Sequence, residues 1–229
     1  MGTLRILSRS SEIFQDREEA GRLLAAELDE YRGQNPVVLG IPRGGVVVAS
    51  ELAGALDAEM DIVLAHKLPT PGYGELAMGA VSEDGKLFMN QDVLDMMRIP
   101  ETYIQREKTR QLGELRRRAE LFRRARPRIP LKDRIVIVTD DGVATGATTQ
   151  AAIWAVKLEQ PAKLVAAIPI GSEDTIRRLA KDVDEMLCLR CPPMFGAVGQ
   201  FYRQFHPVED EDVLAILQKN SHVISHTGR

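Results

Sequence analysis

Five short, almost purely apolar runs recur along this chain: VVLG at 37–40, DIVL at 61–64, IVIVT at 135–139, KLVAAIPI at 163–170 and EMLCLR at 185–190. A strand with no polar face is buried on both sides, which is the condition of a parallel sheet covered by helices. Helical segments stand between the runs, among them GGVVVASELAGAL, TTQAAIWAVKLEQ and EDTIRRLAKD. Alternation of this kind predicts a doubly wound α/β fold, with right-handed crossovers and ligands at the carboxyl ends of the strands. With 229 residues and 44 % hydrophobic content, the chain can bury one core, so a single domain over 1–229 with a small appendage is expected.

Within that frame, DREEAGRLLAAELDEYR at 16–32 places Ala20, Leu23, Leu24 and Leu28 on one helical face behind a capping Asp16. DIVLAHKL at 61–68 reads as the second parallel strand. PTPGYGE, Pro69 to Glu75, is a loop by its prolines and glycines, and the stretch after it forms a hairpin around Asp84 and Gly85. Residues 101–126 form a long helix with Ile104, Leu112, Leu115, Ala119 and Phe122 as its apolar stripe. From Arg98 to Arg134 there are 13 Lys or Arg against 5 Asp or Glu. A solvated face explains this better than a nucleic-acid surface, because Phe122, the aromatic among the arginines of 106–134, belongs to the stripe and not to a base-stacking surface. The stripe packs on the domain or on a second subunit, which leaves a homo-oligomer open.

The whole-chain charge, 30 basic against 33 acidic residues for a net −3, is not that of a nucleic-acid binder. No apolar run reaches the roughly 20 residues that span a bilayer, and the N-terminus turns acidic before any signal-peptide core develops. A cytoplasmic protein without membrane contact is expected. The two cysteines, Cys188 and Cys191, are spaced C-x-x-C, and with His222 and His226 a zinc set can be written. The compact zinc motif, however, separates its pairs by about 12 to 15 residues, and here the gap is about twice that. Small buried residues at a strand end are the simpler reading.

The chemistry concentrates in VIVTDDGVATGATTQAA. An apolar strand ends in Asp140 and Asp141, passes through a Gly/Thr loop and enters a helix. The N–H groups of a helix N-terminus, with the hydroxyls of Thr145, Thr148 and Thr149, cradle a phosphate. Gly146 allows the backbone to approach it closely. Two carboxylates would repel that phosphate, so they serve vicinal hydroxyls or a metal elsewhere on the ligand. Phosphate at one end and a diol at the other describe a phosphorylated sugar.

This segment resembles the signature of the type I phosphoribosyltransferases: an apolar strand, two acidic residues, two mostly apolar residues and a Thr/Gly loop. The departures are Thr139 and Gly142, where the family usually has apolar or aliphatic residues, and they leave the phosphate loop untouched. The resemblance covers roughly Val37 to Arg203. It is closest to bacterial phosphoribosyltransferases of unassigned acceptor that carry PRGG, GELAMGAV and AVGQFYRQF segments.

The resemblance implies the ligand and its site: 5-phosphoribosyl 1-diphosphate with Mg²⁺, and transfer of ribose 5-phosphate to a nitrogen acceptor. Asp140 and Asp141 are the catalytic pair, in contact with the ring hydroxyls or the metal. Ala144, Thr145, Gly146, Ala147, Thr148 and Thr149 hold the 5-phosphate. Arg43, Gly44, Gly45 and Lys67 hold the diphosphate, with a cis peptide at Pro42–Arg43. Pro69 to Glu75 is a mobile lid. The core runs over about 16–190, and a hood at about 191–210, with N- or C-terminal segments, offers Phe195, Phe201, Tyr202 and Arg203 to the acceptor. Ala144 stands where 6-oxopurine enzymes carry an acid, which argues against hypoxanthine or guanine. A regulator that senses the donor without transferring it, and a nucleoside phosphorylase-like activity, are the alternatives.

Overall fold

The computed structural model describes residues 2–221, apart from the side chains at 74, 75 and 221. The first half of the chain runs through β1 (Thr3–Ser8), α1 (Arg17–Glu27), β2 (Val37–Gly40), α2 (Gly44–Leu56), β3 (Glu59–Ile62), β4 (Ala65–Thr70), β5 (Tyr73–Ser82), β6 (Leu87–Met89), α3 (Gln91–Met97) and α4 (Glu101–Arg123). The second half comprises β7 (Ile135–Thr139), α5 (Ala147–Lys157), β8 (Lys163–Ile170), α6 (Glu173–Leu179), β9 (Glu185–Arg190) and α7 (Asp210–Ser221). Six strands pair in parallel in the order β1-β9-β8-β7-β2-β3, and β4-β5-β6 form a separate antiparallel sheet.

The apolar runs are buried on both faces, as a covered parallel sheet requires. Along β7, Val136 and Val138 pack with Ile153 and Trp154 of α5 and Ile176 and Leu179 of α6. The intervening Ile137 packs on the other side with Leu24 of α1, Leu52 and Leu56 of α2, and Leu217 of α7. Asp16 caps α1 by accepting from Glu19 N–H at 2.8 Å. Leu23, expected on the inner face of this helix, is 40 % exposed. No helix among the described residues is long and apolar enough to cross a membrane.

Two expectations are corrected in the middle of the chain. DIVLAHKL is two strands, not one. Val63 N–H makes a last bond to Gly40 O at 3.1 Å, after which the chain leaves β2 and pairs antiparallel with β5. The apolar pattern does not mark the switch, because Val63 and Ala65 stay in one layer of the core while Leu64 and Leu68 stay in the other. The stretch 69–75 is a hairpin tip rather than a loop: β4 extends to Thr70, and β5 starts at Tyr73 after a turn at Pro71 and Gly72. The hairpin around Asp84 and Gly85 forms where expected, between β5 and β6, with Ser82 N–H bonded to Lys86 O at 3.1 Å. Strand β1 and helix α7 went unread in the sequence. Both lie at the margin of the molecule, where one face is polar and the apolar pattern is diluted.

Candidate active site

From β2 the sheet grows outward to β3, and from β7 it grows the other way to β8 and β9. The two strands where the direction reverses are neighbours. Their carboxyl ends therefore diverge and leave a crevice, the usual ligand position in such sheets. The loop after β2 carries Pro42 to Gly45, and the loop after β7 carries Asp140 to Gly146. They touch: a side chain at Gly44 would run into the Asp141 carboxylate, and a Cβ at Gly45 would lie 2.8 Å from Asp140 Cα. The Pro42–Arg43 peptide is cis.

Asp140 and Asp141 differ in their surroundings. Asp140 Oδ1 accepts Asp141 N–H at 2.9 Å. Burial and the neighbouring Asp141 push the Asp140 carboxyl well above the usual range. Asp141 Oδ2 pairs with Arg17 Nε at 2.8 Å, and Tyr202 OH donates to its backbone carbonyl at 2.6 Å. Arg17, the first residue of α1, is itself buried. Its Nη1 donates to His206 O at 2.9 Å, and its guanidinium lies 3.9 Å from the Phe205 ring centroid. Sequence reasoning missed Arg17, which sits 124 residues from its partner with no local motif around it.

The Gly/Thr loop is held open from behind. Thr175 of α6 donates to Ala144 O at 2.8 Å, and Arg178 donates to Thr145 O. With the carbonyls so occupied, the N–H groups of the first turn of α5, which a helix cannot satisfy itself, remain for a ligand. Gly146 takes φ +75°, and a Cβ there would lie 2.6 Å from the Thr175 methyl. Only glycine adopts that backbone without strain. Ala144, Thr145 and Thr148 are exposed, Ala147 is half-buried and Thr149 is buried.

A cleft of about 540 Å³ runs from this loop, at Thr145, Ala147 and Thr148, past Pro42 to His66 and Lys67, with α4 as its far wall. The sequence placed Lys67 at the end of a parallel strand. It stands instead in β4, which pairs with β5 in the separate antiparallel sheet, and it lines the cleft from there. Arg43 Nη1 is paired with Glu209 Oε2 at 2.6 Å, both half-exposed, so an incoming anion has to displace a carboxylate there.

A family model described as the phosphoribosyl transferase domain matches residues 10–206. The chain belongs to this family. Two Mycobacterium tuberculosis proteins, "Putative phosphoribosyl transferase MT0597" of strain CDC 1551 and "Putative phosphoribosyl transferase Rv0571c" of strain H37Rv, are each 45 % identical to it over 207 residues. That match covers 90 % of the chain and 47 % of the relatives, so the chain spans about half their length. The crystal structure of TT1426 from Thermus thermophilus is 45 % identical, with a TM-score of 0.87 over 90 % of this chain and 98 % of that one.

Both departures from the phosphoribosyltransferase signature have a local cause. The Thr139 hydroxyl, fully buried, donates to Ala167 O at 2.6 Å, so the strand loses nothing by carrying it. Gly142 is a site of close approach. A Cβ there would lie 2.5 Å from Val198 and 2.7 Å from Ile170, so glycine lets the hood press directly on the strand end. The hood residues divide. Phe201 and Tyr202 are buried, Tyr202 against Phe14 and Phe205 at 5.3 and 5.2 Å, and Phe201 against Phe195 at 5.3 Å. Both rings thus pack against neighbouring aromatic side chains. Phe195 is half-buried, and Arg203 is exposed.

Cys188 and Cys191 are buried, with sulfurs 3.5 Å apart. His222 and His226, the other half of the zinc set, lie outside the described residues.

Proposed function

We propose that the protein transfers ribose 5-phosphate from 5-phosphoribosyl 1-diphosphate to a nitrogen acceptor, a nucleobase or similar small ring. The observation that carries this reading is the meeting, at one crevice, of an acidic pair with an anion-receptive loop on either side. The 5-phosphate lies on residues 144–149 and the diphosphate on Arg43, Gly44, Gly45 and Lys67, which leaves the ribose hydroxyls to Asp140. Asp141 reaches the ligand only by sharing or releasing Arg17, so its first task is to position the pair and the hood.

In the transfer, the acceptor nitrogen lone pair bonds to the anomeric carbon while the bond to the diphosphate oxygen breaks, its electrons leaving with the diphosphate. Positive charge builds on the ring, as in glycoside cleavage. Ionised Asp140 stabilises that charge, and the cations at the diphosphate end stabilise the leaving group. Mg²⁺ fits the donor set as an ion that keeps water and ligand oxygens. Among the described residues no three His, Cys, Asp or Glu side chains gather into a cage, and of the acidic pair Asp140 is the carboxylate without a salt bridge. Bound there with the donor, it would neutralise phosphate charge.

Incubation with the donor, Mg²⁺ and a panel of bases, read as diphosphate release, tests this. Release that depends on one base supports the reading. Release with none, while the donor binds, favours the sensing alternative, and nucleoside cleavage that depends on inorganic phosphate favours the phosphorylase.

A further inference from the structure

We propose that Arg118, carried by α4 and not by any strand-end loop, completes the diphosphate end of the cleft as an additional anion-binding side chain. The inference rests on the reading above and deepens it.

Helix α4 forms the far wall of the 540 Å³ cleft through Gln111, Glu114, Leu115 and Arg118, opposite Pro42, Thr145 and Thr148. Its arginines are of two kinds. Arg110 is tied to Glu107 at 2.7 Å and Glu114 at 3.5 Å, and Arg123 to Asp61 and Glu83, each at 2.6 Å. Arg118, half-buried and lining the cleft, makes no hydrogen bond or ion pair among the described residues. A guanidinium held in a concave, partly desolvated place with no carboxylate in ion-pair reach among the described residues is a receptor for one, or for phosphate, whose oxygens its planar fork matches in pairs.

A neighbour registers the uncompensated charge. His66, on the cleft side of α4, has Nδ1 at 2.9 Å from Gln111 Oε1 and 3.9 Å from Glu114 Oε2. Burial holds its pKa below the ordinary value, and the charges of Arg118 and Arg110 add to that against the opposing pull of Gln111 and Glu114. An anion seated on Arg118 cancels part of that field. His66 is therefore a reporter built into the site: its pKa rises when the subsite fills.

The test uses the full chain and inorganic diphosphate with Mg²⁺ as the probe, with ribose 5-phosphate as the control ligand, both by calorimetry. Arg118→Gln should weaken diphosphate binding by about 10-fold to 100-fold, the worth of one charge-assisted contact, and leave ribose 5-phosphate within about two-fold. Arg118→Lys should recover part of the loss. In NMR titrations, diphosphate should raise the His66 pKa in the parent protein and raise it less in Arg118→Gln, with His66→Gln identifying the resonance. Equal diphosphate affinity in the parent and Arg118→Gln overturns the inference and leaves the transferase reading standing. Loss of both ligands in Arg118→Gln also overturns it, since the effect is then not local to the diphosphate end. A parent protein that binds neither probe brings down the reading and the inference together.

Discussion

Asp140 and Asp141 are adjacent in sequence and unequal in space, and their variants should separate accordingly. Asp140 is held among neighbours that favour its protonated form, so Asn at this position keeps the shape and removes only a charge the fold disfavours. Transfer by Asp140→Asn should fall by at least about 10²-fold, the scale of losing one well-placed electrostatic group. Its melting temperature at neutral pH should not fall. The sign follows from linkage: a carboxyl whose folded pKa is raised loses stability as pH rises from its unfolded value to the raised one, and Asn removes that loss. Asp141→Asn behaves differently, because it strands Arg17, whose side chain is only 10 % exposed. Breaking a pair of that kind costs about 3 kcal/mol, and thermal unfolding of Asp141→Asn should show it as a lower melting temperature. Equal melting temperatures for the two variants would contradict the unequal roles. Gly142→Val, restoring the branched aliphatic residue usual in the family, should also lower the melting temperature, since its Cβ would meet Val198 and Ile170.

Among the elements, the β4–β5 hairpin is where the expected lid lies. Its tip carries exposed Tyr73 and Leu76, while its base is anchored by buried Leu68, Met78 and Val81. Residues 69–75 should exchange amide hydrogens faster than β2 and β7 in the free protein, and more slowly once donor and Mg²⁺ are present. Equal protection of the tip and the central strands, with or without ligand, would remove the lid. What the sequence reported about this region was its turn residues, and it reported them correctly as a break in the apolar pattern. It read the flanking strands only in part, giving 61–68 to the parallel sheet and starting the hairpin after Glu75, whereas β4 runs to Thr70 and β5 begins at Tyr73. A hairpin arm whose one face is exposed and whose edge is unpaired carries too few apolar residues to stand out, whereas the same length of chain in β7 or β8 is unmistakable.

At the scale of the whole molecule, the arginine-rich helix is a brace. Arg123, at the end of α4, bonds Asp61 of β3 and Glu83 after β5, each at 2.6 Å, and reaches Ile62 O at 3.2 Å. One side chain thus ties the helix to both sheets. Arg123→Met should destabilise the fold by about 3 to 5 kcal/mol and so lower the melting temperature steeply, because Asp61, 1 % exposed, is left in the core without its cation. A variant unfolding within a degree or two of the parent would show that the brace is dispensable. The sequence by itself determined the central sheet, the crossover helices, the Thr/Gly loop and the acidic pair, because each is written in contiguous residues whose spacing or composition has one physical use. Only the tertiary structure decided that Asp141 belongs to Arg17, that Lys67 stands in a second sheet, that Tyr202 packs inward and that Arg118 faces the cleft. Those facts join residues tens to more than a hundred positions apart, and no local pattern encodes which distant side chain closes over which.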